Sequence, residues 1–405
     1  MSDYIVQSGS LTAVANKIRE KTGGSAPLEF PDDFITGIES IGQPPQTPND
    51  SILFYSRDPF TLEIKNHSKN WGGTIEMSID HSLWTEWDGT TILQSGELHG
   101  FYVIYLRGMS NTLISGDAGP STNRGFQTIG SGIKCVGNLA TLLNYQNPPD
   151  TASANAFKYV FYKCSSLDFD LTIPYPSSSS YVSAFSDCAS LTKAPELPAT
   201  VVPINAYQKM FMNCTNLTHA PALPATTLSN ECYSQMFSGC SALKTPPELP
   251  ATTLQTKCYE RMFYNSGLTS APELPATTLA TNCYQSMFSY CFSLSQIPAL
   301  PATTLAAYCY DDMFSHSGVT QLPELPTETL TNYCYRNMFV GCSGIKLSST
   351  QTGDYQTEYR IPSTGTGTTA TSALYNFCAN TGGTFTSDPV INTTYYTSNT
   401  VIPAI

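Results

Sequence analysis

The sequence predicts a multidomain chain with a small N-terminal helical segment, an all-β sandwich-like domain, an α/β solenoid and a C-terminal cap. The motif Cys-Tyr-x-x-Met-Phe-x-x-Cys recurs in the middle of the chain, and its methionines are spaced by 25 or 26 residues. A fixed period of this length is typical of a solenoid, in which each unit buries its apolar face against its neighbours. Before the repeats, short runs of alternating apolar and polar residues indicate β-strands.

Residues 1–42 are predicted to form a helical attachment segment. Ser10 can cap a first helix, and Pro31 is well placed to begin a second one. Each helix would have one apolar side, formed by Leu11, Val14, Ala15 and Ile18 and by Phe34, Ile35, Ile38 and Ile41. So few apolar residues do not make a stable domain, so we expect this segment to dock onto a partner. The proline-rich residues 43–50 are predicted to be a linker.

Residues 51–140 are predicted to form the all-β domain. Runs such as FTLEIKN from Phe60 and FYVIYLRG from Phe101 alternate in the manner of half-buried strands. The tryptophans Trp71, Trp84 and Trp87 all lie here. Exposed tryptophans would indicate stacking on sugars, but a β-domain of this size buries such residues, and we expect core or structural roles.

Residues 141–345 are predicted to form the solenoid, and residues 346–405 its C-terminal cap. With the first Cys of a unit counted as position 0, the motif residues fall at positions 0, 1, 4, 5 and 8. At about 100° per residue they project within one arc of about 140°, and positions 2, 3, 6 and 7 fall outside it. This predicts a short amphipathic helix in each unit. The proline of the following extended piece, Pro247 in one unit, should interrupt a parallel ladder.

Composition excludes several classes of function. The net charge is -12, and no basic stripe exists to contact a nucleic acid. No run of 18 apolar residues occurs, so no membrane insertion is expected, and the N-terminus lacks the features of a signal peptide. The 13 cysteines recur at fixed repeat positions without a C-x-x-C pair. They are predicted to be buried thiols, with no metal and no cofactor.

The carboxylates do not indicate catalysis, and no catalytic residues are predicted. Four glutamates occupy the same place in the Pro-Glu-Leu-Pro sequence of successive units, which is typical of a structural or surface feature: Glu196, Glu248, Glu273 and Glu324. Asp311 and Asp312 depart from the repeat, but both lie on the predicted solvent side of the helix. The sequence has no nucleophile elbow and no phosphate-binding loop. We therefore expect a protein that is not an enzyme.

A binding surface is the better prediction, because the outer positions vary from unit to unit while the core positions stay fixed. Tyrosines among small polar residues can stack on sugars and donate hydrogen bonds. The alternative is that these positions are unconstrained solvent surface. The candidate ligand-binding residues are Lys209, Gln235, Tyr264, Tyr290, Tyr308, His316 and Tyr333.

The repeat resembles the BspA-type leucine-rich repeat of bacterial surface proteins. The resemblance rests on units of the form CYxxMFxGCxxLTxAPELPATTL between about residues 160 and 345. It implies a right-handed, leucine-rich-repeat-like solenoid used for adhesion. The segment LTAVANKIREKTGGSAPLEFPDDFITGIESI from Leu11 resembles the opening of tail proteins from phages and prophages of gut Firmicutes. The β-domain, with SIDHSLWTEWDGTT from Ser78, looks like the module that usually precedes such repeats.

Together these features predict a host-recognition protein of a phage or prophage tail, made in the bacterial cytoplasm and carried on the virion. Its partners would be a bacterial surface glycan or protein, bound by the solenoid, and baseplate or tail proteins, bound by the N-terminus. Analogy with tail fibres suggests a homotrimer, although the chain has no coiled-coil heptads. The alternatives are a bacterial cell-surface adhesin, a purely structural virion protein and a polysaccharide depolymerase.

Overall fold

The computed structural model describes residue 16 and residues 44–65, 71–114 and 125–398. The two predicted N-terminal helices therefore lie outside the described residues, apart from Asn16. The described residues contain a 3-10 helix at Leu139–Leu142 and fifteen strands: β1 Ile52–Ser56, β2 Thr61–Ile64, β3 Thr74–Ser78, β4 Thr85–Glu86, β5 Leu93–Gln94, β6 Gly96–Leu98, β7 Phe101–Met109, β8 Phe126–Ile129, β9 Ile133–Asn138, β10 Leu167–Thr172, β11 Val201–Val202, β12 Thr227–Leu228, β13 Leu347–Ser348, β14 Tyr355–Arg360 and β15 Thr394–Ser398.

The first nine strands form the predicted all-β region. Its larger sheet has the strand order β10-β9-β1-β7-β3-β4, with β6 also paired to β7, and a smaller sheet has the order β5-β2-β8. The two sheets share one apolar core, in which the rings of Phe54 and Phe126 lie 6.4 Å apart. Trp71 and Trp87 are buried in this core, as predicted, with ring centroids 5.6 Å apart.

The β-region continues into the solenoid without a break in the core. Strand β10 belongs to the first repeat and pairs in parallel with β9. The backbone N–H groups of Ile114 and Phe126 donate to the carbonyl oxygens of Ala156 and Val160 in the first repeat, at 2.8 and 2.7 Å. In later units, carbonyl oxygens at these positions accept hydrogen bonds from the preceding repeat. The β-region supplies these donors to the first repeat, so it caps the N-terminal end of the stack.

The Cys-Tyr-x-x-Met-Phe-x-x-Cys segments are not α-helices, so the α/β prediction for the solenoid is wrong; no α-helix occurs in residues 125–398. In each segment positions -1, 3 and 7 have left-handed backbones, as in Glu231, Gln235 and Gly239, with φ of 56°, 58° and 77°. A left-handed residue at every fourth position is incompatible with a right-handed helix. Nine such segments occur in this range, here called turn segments 1 to 9: 155–163, 179–187, 205–213, 231–239, 257–265, 282–290, 308–316, 333–341 and 372–380.

Backbone N–H groups in a turn segment alternate between two kinds of acceptor. At odd positions they donate to the next segment, as Tyr233 does to the carbonyl oxygen of Cys258 at 3.1 Å. At even positions they donate three residues back, as Met236 does to Tyr233 at 3.1 Å. Each segment is therefore bonded to its neighbours across its whole width. A helix bonds only internally, and one of nine residues is marginal on its own.

The predicted inward set of residues is nevertheless confirmed. In turn segment 5, Cys258, Tyr259, Met262 and Phe263 are all at most 1% exposed. Positions 0, 4 and 8 repeat with a period of four, which the left-handed residues impose. Over nine residues a period of four and the helical period of 3.6 give the same inward set, so the pattern predicted the core correctly but the backbone wrongly.

The rest of each repeat is extended and sparsely paired. Short parallel contacts join the threonines that precede the turn segments, as between Thr253, Thr278 and Thr304. No strand is assigned to the Pro-Glu-Leu-Pro stretches within residues 125–398, which agrees with the predicted interruption. Strands β13 and β14, which lie between turn segments 8 and 9, form a three-stranded sheet with β15, which follows segment 9, in the order β13-β15-β14.

Candidate functional site

The outer surface of the nine turn segments forms one continuous wall, here called the turn wall. Behind it, the core side chains stack in register from unit to unit. The rings of Tyr233 and Tyr259 lie 5.9 Å apart and 3° from parallel, and those of Phe237 and Phe263 lie 5.8 Å apart and 6° from parallel. Parallel core rings and the hydrogen-bond ladder give the turn wall a rigid support.

The cysteines belong to this support and not to a reactive site. All 13 are free and buried. Those at position 8 donate to a backbone carbonyl of the preceding unit, as the Cys240 thiol does to Phe211 at 3.1 Å and that of Cys291 to Phe263 at 3.0 Å. Burial raises the pKa of the Cys240 thiol to about 12 and that of Cys342 to about 11. Thiols with so little thiolate are poor nucleophiles and poor metal ligands.

The structure places all seven candidate residues on the turn wall, and six of them have left-handed backbones. These six are at position -1 (Tyr308 and Tyr333), at position 3 (Lys209 and Gln235) and at position 7 (Tyr290 and His316), with Tyr264 at position 6. Lys209 and Gln235 are neighbours in consecutive turn segments, but none of the ring contacts described below includes them.

Four aromatic side chains form a group, here called the aromatic cluster: Tyr264, Tyr290 and His316 on turn segments 5 to 7, and Phe292, two residues after the end of segment 6. The Tyr290 ring is stacked on that of His316 at 4.9 Å. The rings of Tyr264 and Phe292 meet Tyr290 edge to face at 5.4 and 6.1 Å. Phe292 is 69% exposed and Tyr290 37% exposed, so the cluster presents apolar surface to solvent.

These aromatic residues differ from the residue types that most other units carry at the same repeat positions. Position 6, which Tyr264 occupies, is serine in Ser238, Ser289 and Ser315. Position 9, which Phe292 occupies, is serine or threonine in four other units: Ser165, Thr215, Ser241 and Ser343. Neither the core nor the hydrogen-bond ladder needs a ring at these places, because most other units are built without one; turn segment 1 has Tyr162 at position 6.

At the left-handed positions an aromatic residue also costs backbone energy. Position 7 holds asparagine or glycine in Asn213, Asn265, Gly239 and Gly341, residues that tolerate this conformation well. Tyr290 adopts it with φ of 61°, and Tyr308 and Tyr333 adopt it with φ of 59° and 58°. The left-handed conformation costs such side chains about 1–2 kcal/mol. The fold imposes this conformation at positions -1, 3 and 7 of every turn segment, so the cost falls on whichever side chain occupies those positions.

A second aromatic group, the tyrosine pair, consists of Tyr308 and Tyr333 in turn segments 7 and 8. Their rings are stacked at 4.8 Å and 12° from parallel. The Arg336 guanidinium lies 5.3 Å from the Tyr308 ring and 5.0 Å from the Tyr333 ring. The pair therefore has a cation held against both of its rings.

Arg336 is held in place by Asp311, which the sequence had placed on the solvent side. The Asp311 side chain is fully buried, and Arg336 donates to both of its oxygens at 2.7 Å. Gln285 donates a further hydrogen bond to Asp311 at 2.9 Å. The prediction for Asp311 is therefore wrong: this carboxylate is a buried support for the tyrosine pair and is not exposed.

Asp312 and Arg261 occupy position 3 of turn segments 7 and 5, on either side of segment 6. Burial and the charge of Asp311 raise the pKa of Asp312, and Asn337, Arg336 and Arg261 oppose that shift. The position between them is held by Ser286, which is small and only 4% exposed. Two opposite charges therefore lie one unit to either side of a small, almost fully covered side chain.

Arg261, Phe292 and Arg336 are site residues that the sequence interpretation missed. Comparing Phe292 with the serines and threonines at position 9 would have revealed it. The glycines and asparagines at position 7 would likewise have revealed the left-handed backbone, since such residues favour it. The signal for Arg336 was the repeat itself, because Arg336 and Asp311 both occupy position 2 of consecutive units, 25 residues apart, and stacking brings such positions side by side.

Two other features of the described residues have structural explanations. In the β-region Arg107 lies 3.9 Å from the Trp84 ring and 4.0 Å from the Tyr145 ring, and it donates to Glu76 at 2.7 Å. Trp84 is thus covered on one face by a paired guanidinium. On the Pro-Glu-Leu-Pro side, where units are not joined by a ladder, a groove of about 510 Å³ opens between units beside Glu248 and Glu273.

Neither a metal cluster nor a membrane span is found in the parts that the structure describes. Among these residues, no three His, Cys, Asp or Glu side chains are grouped so as to hold a metal ion. Within the same residues, no helix has the length and apolarity needed to cross a bilayer.

The fold and the turn wall define a solenoid repeat protein with a rigid core and a variable outer surface. Residues 157–246 and 222–346 match a family described as a BspA type leucine rich repeat region (6 copies). The repeat part of the chain therefore consists of BspA-type leucine-rich repeats, as the motif predicted. Neither the curated proteins nor the solved structures contain a match to the chain.

Proposed function

We propose that the chain is a non-enzymatic host-recognition protein of a phage or prophage particle, which binds a bacterial surface receptor through the turn wall. The observation that carries the proposal is the aromatic cluster. Tyr264, Tyr290 and Phe292 replace small or polar residues that serve well in other units, and Tyr290 does so at a backbone cost. Exposed rings on a rigid support are typical of binding surfaces.

The attachment of this protein to a particle rests on resemblance. The N-terminal segment, which lies outside the described residues, resembles the opening of phage tail proteins and would bind the baseplate or tail tip. In this arrangement the β-region caps the solenoid and connects it to the particle. A homotrimer remains the proposed assembly by analogy with tail fibres.

The turn wall gives no support to the depolymerase alternative. Hydrolysis of a glycosidic bond needs two carboxyl groups that flank the bond, one of them free to donate a proton. Asp311 and Asp312 are adjacent, but Asp311 accepts three hydrogen bonds from Arg336 and Gln285 and has no access to solvent. We therefore propose binding without cleavage, and release of reducing sugar from host envelopes would contradict this.

The test is binding of the fluorescently labelled full-length chain to intact cells from a panel of gut Firmicutes. Wild type should bind at least one strain saturably, and the double variant Tyr290→Asn/Tyr333→Asn should not. Both substitutions use residues that other units carry at these positions, such as Asn265 and Asn282. The control is Tyr175→Thr, which changes an exposed tyrosine on the first repeats to the threonine found at that place in later units.

Full binding by the double variant would remove the turn wall from the proposal and direct attention to the β-region. Labelling of intact particles with an antibody against the chain separates the tail protein from a cell-surface adhesin. Signal on cells that release no particles would favour the adhesin.

A further inference from the structure

A cavity of about 240 Å³ lies where the last repeats meet the C-terminal sheet, and it is here called the cap cavity. Its walls come from three parts of the chain: residues 320–324, which follow turn segment 7; residues 345–346, which follow turn segment 8; and residues 357–359 and 397–398 on strands β14 and β15. None of these residues belongs to a turn segment, so the cavity is separate from the turn wall.

A proline explains why this space stays open. Strand β14 is at the edge of the sheet β13-β15-β14, and it shares the cavity with residues 320–324. Pro323 has no N–H group to donate, so this stretch cannot form a regular ladder with the edge strand. The two parts of the chain come together just beyond the cavity, where the Ser363 N–H group donates to the Leu325 carbonyl oxygen at 2.9 Å. The gap between repeat and cap thus follows from the sequence.

Three charged side chains line the cap cavity: Glu324, Glu358 and Lys346. The two glutamates are exposed and Lys346 is partly buried. Within the residues that the structure describes, none of the three forms an ion pair, although opposite charges line the same small space. The cavity therefore offers charges of both signs that are not already paired with each other.

We propose that the cap cavity binds a small zwitterion with an ammonium group and a carboxylate, of the size of a single amino acid. Glu324 and Glu358 accept hydrogen bonds from the ammonium group, which has three N–H donors, and Lys346 donates to the carboxylate. The volume agrees with this size, because pockets for drug-sized molecules measure about 300–1,000 Å³. Further hydroxyl and amide groups line the cavity and can bond other polar atoms of the ligand: Thr320, Gln321 and Thr397.

Ligands with one kind of charge, or with none, match the lining less well. A carboxylate alone meets Lys346 but is repelled by two other carboxylates, and an amine alone leaves the Lys346 ammonium without a partner. A neutral sugar would displace water from all three charged groups without pairing any of them, and charges taken out of water in this way are costly. A zwitterion pairs all three groups at once.

Isothermal titration calorimetry of the full-length protein tests this inference. The probes are alanine, glutamate and lysine, each as both enantiomers, with acetate, ethylamine and glucose as ligands that carry one charge or none. We expect saturable binding of at least one amino acid, and at least a tenfold loss of its affinity in Lys346→Thr and in Glu324→Ala. Other units carry these residues at the same positions, as in Thr218 and Ala222, so the variants should fold like wild type.

The matched control makes the same two substitutions in the unit of turn segment 4, as Lys244→Thr and Glu248→Ala, and its affinity should equal that of wild type. Glu358→Gln, on the cap side of the cavity, should also bind at least tenfold more weakly. The inference would be overturned if no amino acid bound, if the cap-cavity variants kept wild-type affinity, or if acetate, ethylamine or glucose bound as tightly. Each of these results would leave the proposed host recognition intact, because the cavity shares no residue with the turn wall.

Discussion

Replacing Tyr290 by asparagine separates the contribution of this residue to binding from its contribution to stability. The residue has a left-handed backbone with φ of 61°, in a column where Asn213 and Asn265 hold the same conformation with φ of 61° and 53°. It is 37% exposed and belongs to the aromatic cluster. Tyr290→Asn therefore puts a residue suited to the backbone in place of one whose side chain we assign to ligand binding.

Two opposing terms set the expected change in the free energy of unfolding. Relief of the left-handed conformation should stabilise the variant by about 1–2 kcal/mol. Loss of the ring removes three aromatic contacts, each worth about 0.5–1.5 kcal/mol when fully buried. Because Tyr290 is partly exposed, the lost contacts should contribute less than their full sum. The two terms then nearly cancel, and we expect a net change within about 1 kcal/mol.

The measurements are urea unfolding followed by circular dichroism and binding of the same labelled samples to intact cells. Tyr290→Asn should unfold close to wild type and bind at least tenfold more weakly. The reverse change, Asn265→Tyr, should cost about 1–2 kcal/mol because it introduces the same strain. Met287→Ala, in the buried core of the same unit, should cost about 2–5 kcal/mol. A loss of more than about 2 kcal/mol in Tyr290→Asn, with binding retained, would refute the assignment of this residue to ligand binding.

Two further predictions concern the support of the turn wall. Arg336→Met should lower the free energy of unfolding by about 3–5 kcal/mol, because it leaves the buried Asp311 carboxylate without its cation. Arg261→Met, which changes an exposed arginine, should lower it by about 0.5 kcal/mol or less. Equal losses in the two variants would contradict a buried ion pair between Arg336 and Asp311. Because burial raises the pKa of the Cys334 thiol to about 11, iodoacetamide at about pH 8 should label the 13 cysteines only after unfolding. Rapid labelling of the folded protein would show that the thiols are accessible.

The same thiol shifts predict how stability depends on pH. Unfolded thiols ionise with a pKa of about 8.5, whereas folded Cys342 and Cys240 retain their protons until about 11 and 12. Above the lower value the unfolded chain binds fewer protons than the folded one. The free energy of unfolding should therefore fall as the pH rises through this window.

The repeat in the sequence determined which residues form the core of the solenoid. Each unit can bury its Cys, Tyr, Met and Phe only against the next unit, so the positions that must be apolar recur at a fixed spacing. The same comparison of units identified the outer positions, including Tyr290 and Tyr333, because nothing in the core constrains them. For this reason the inward set and the wall that carries the candidate residues could both be predicted from the sequence.

The backbone of the turn segments and the grouping on the turn wall were decided only by the tertiary structure. A local pattern of nine residues cannot distinguish a period of four from a helical period of 3.6. What decides is the acceptor of every second N–H group, which lies 25 residues further along the chain, as Cys258 does for Tyr233. The pairing of Asp311 with Arg336 and the contact of Tyr290 with His316 likewise depend on the stacking register. These contacts exist only once neighbouring units have stacked.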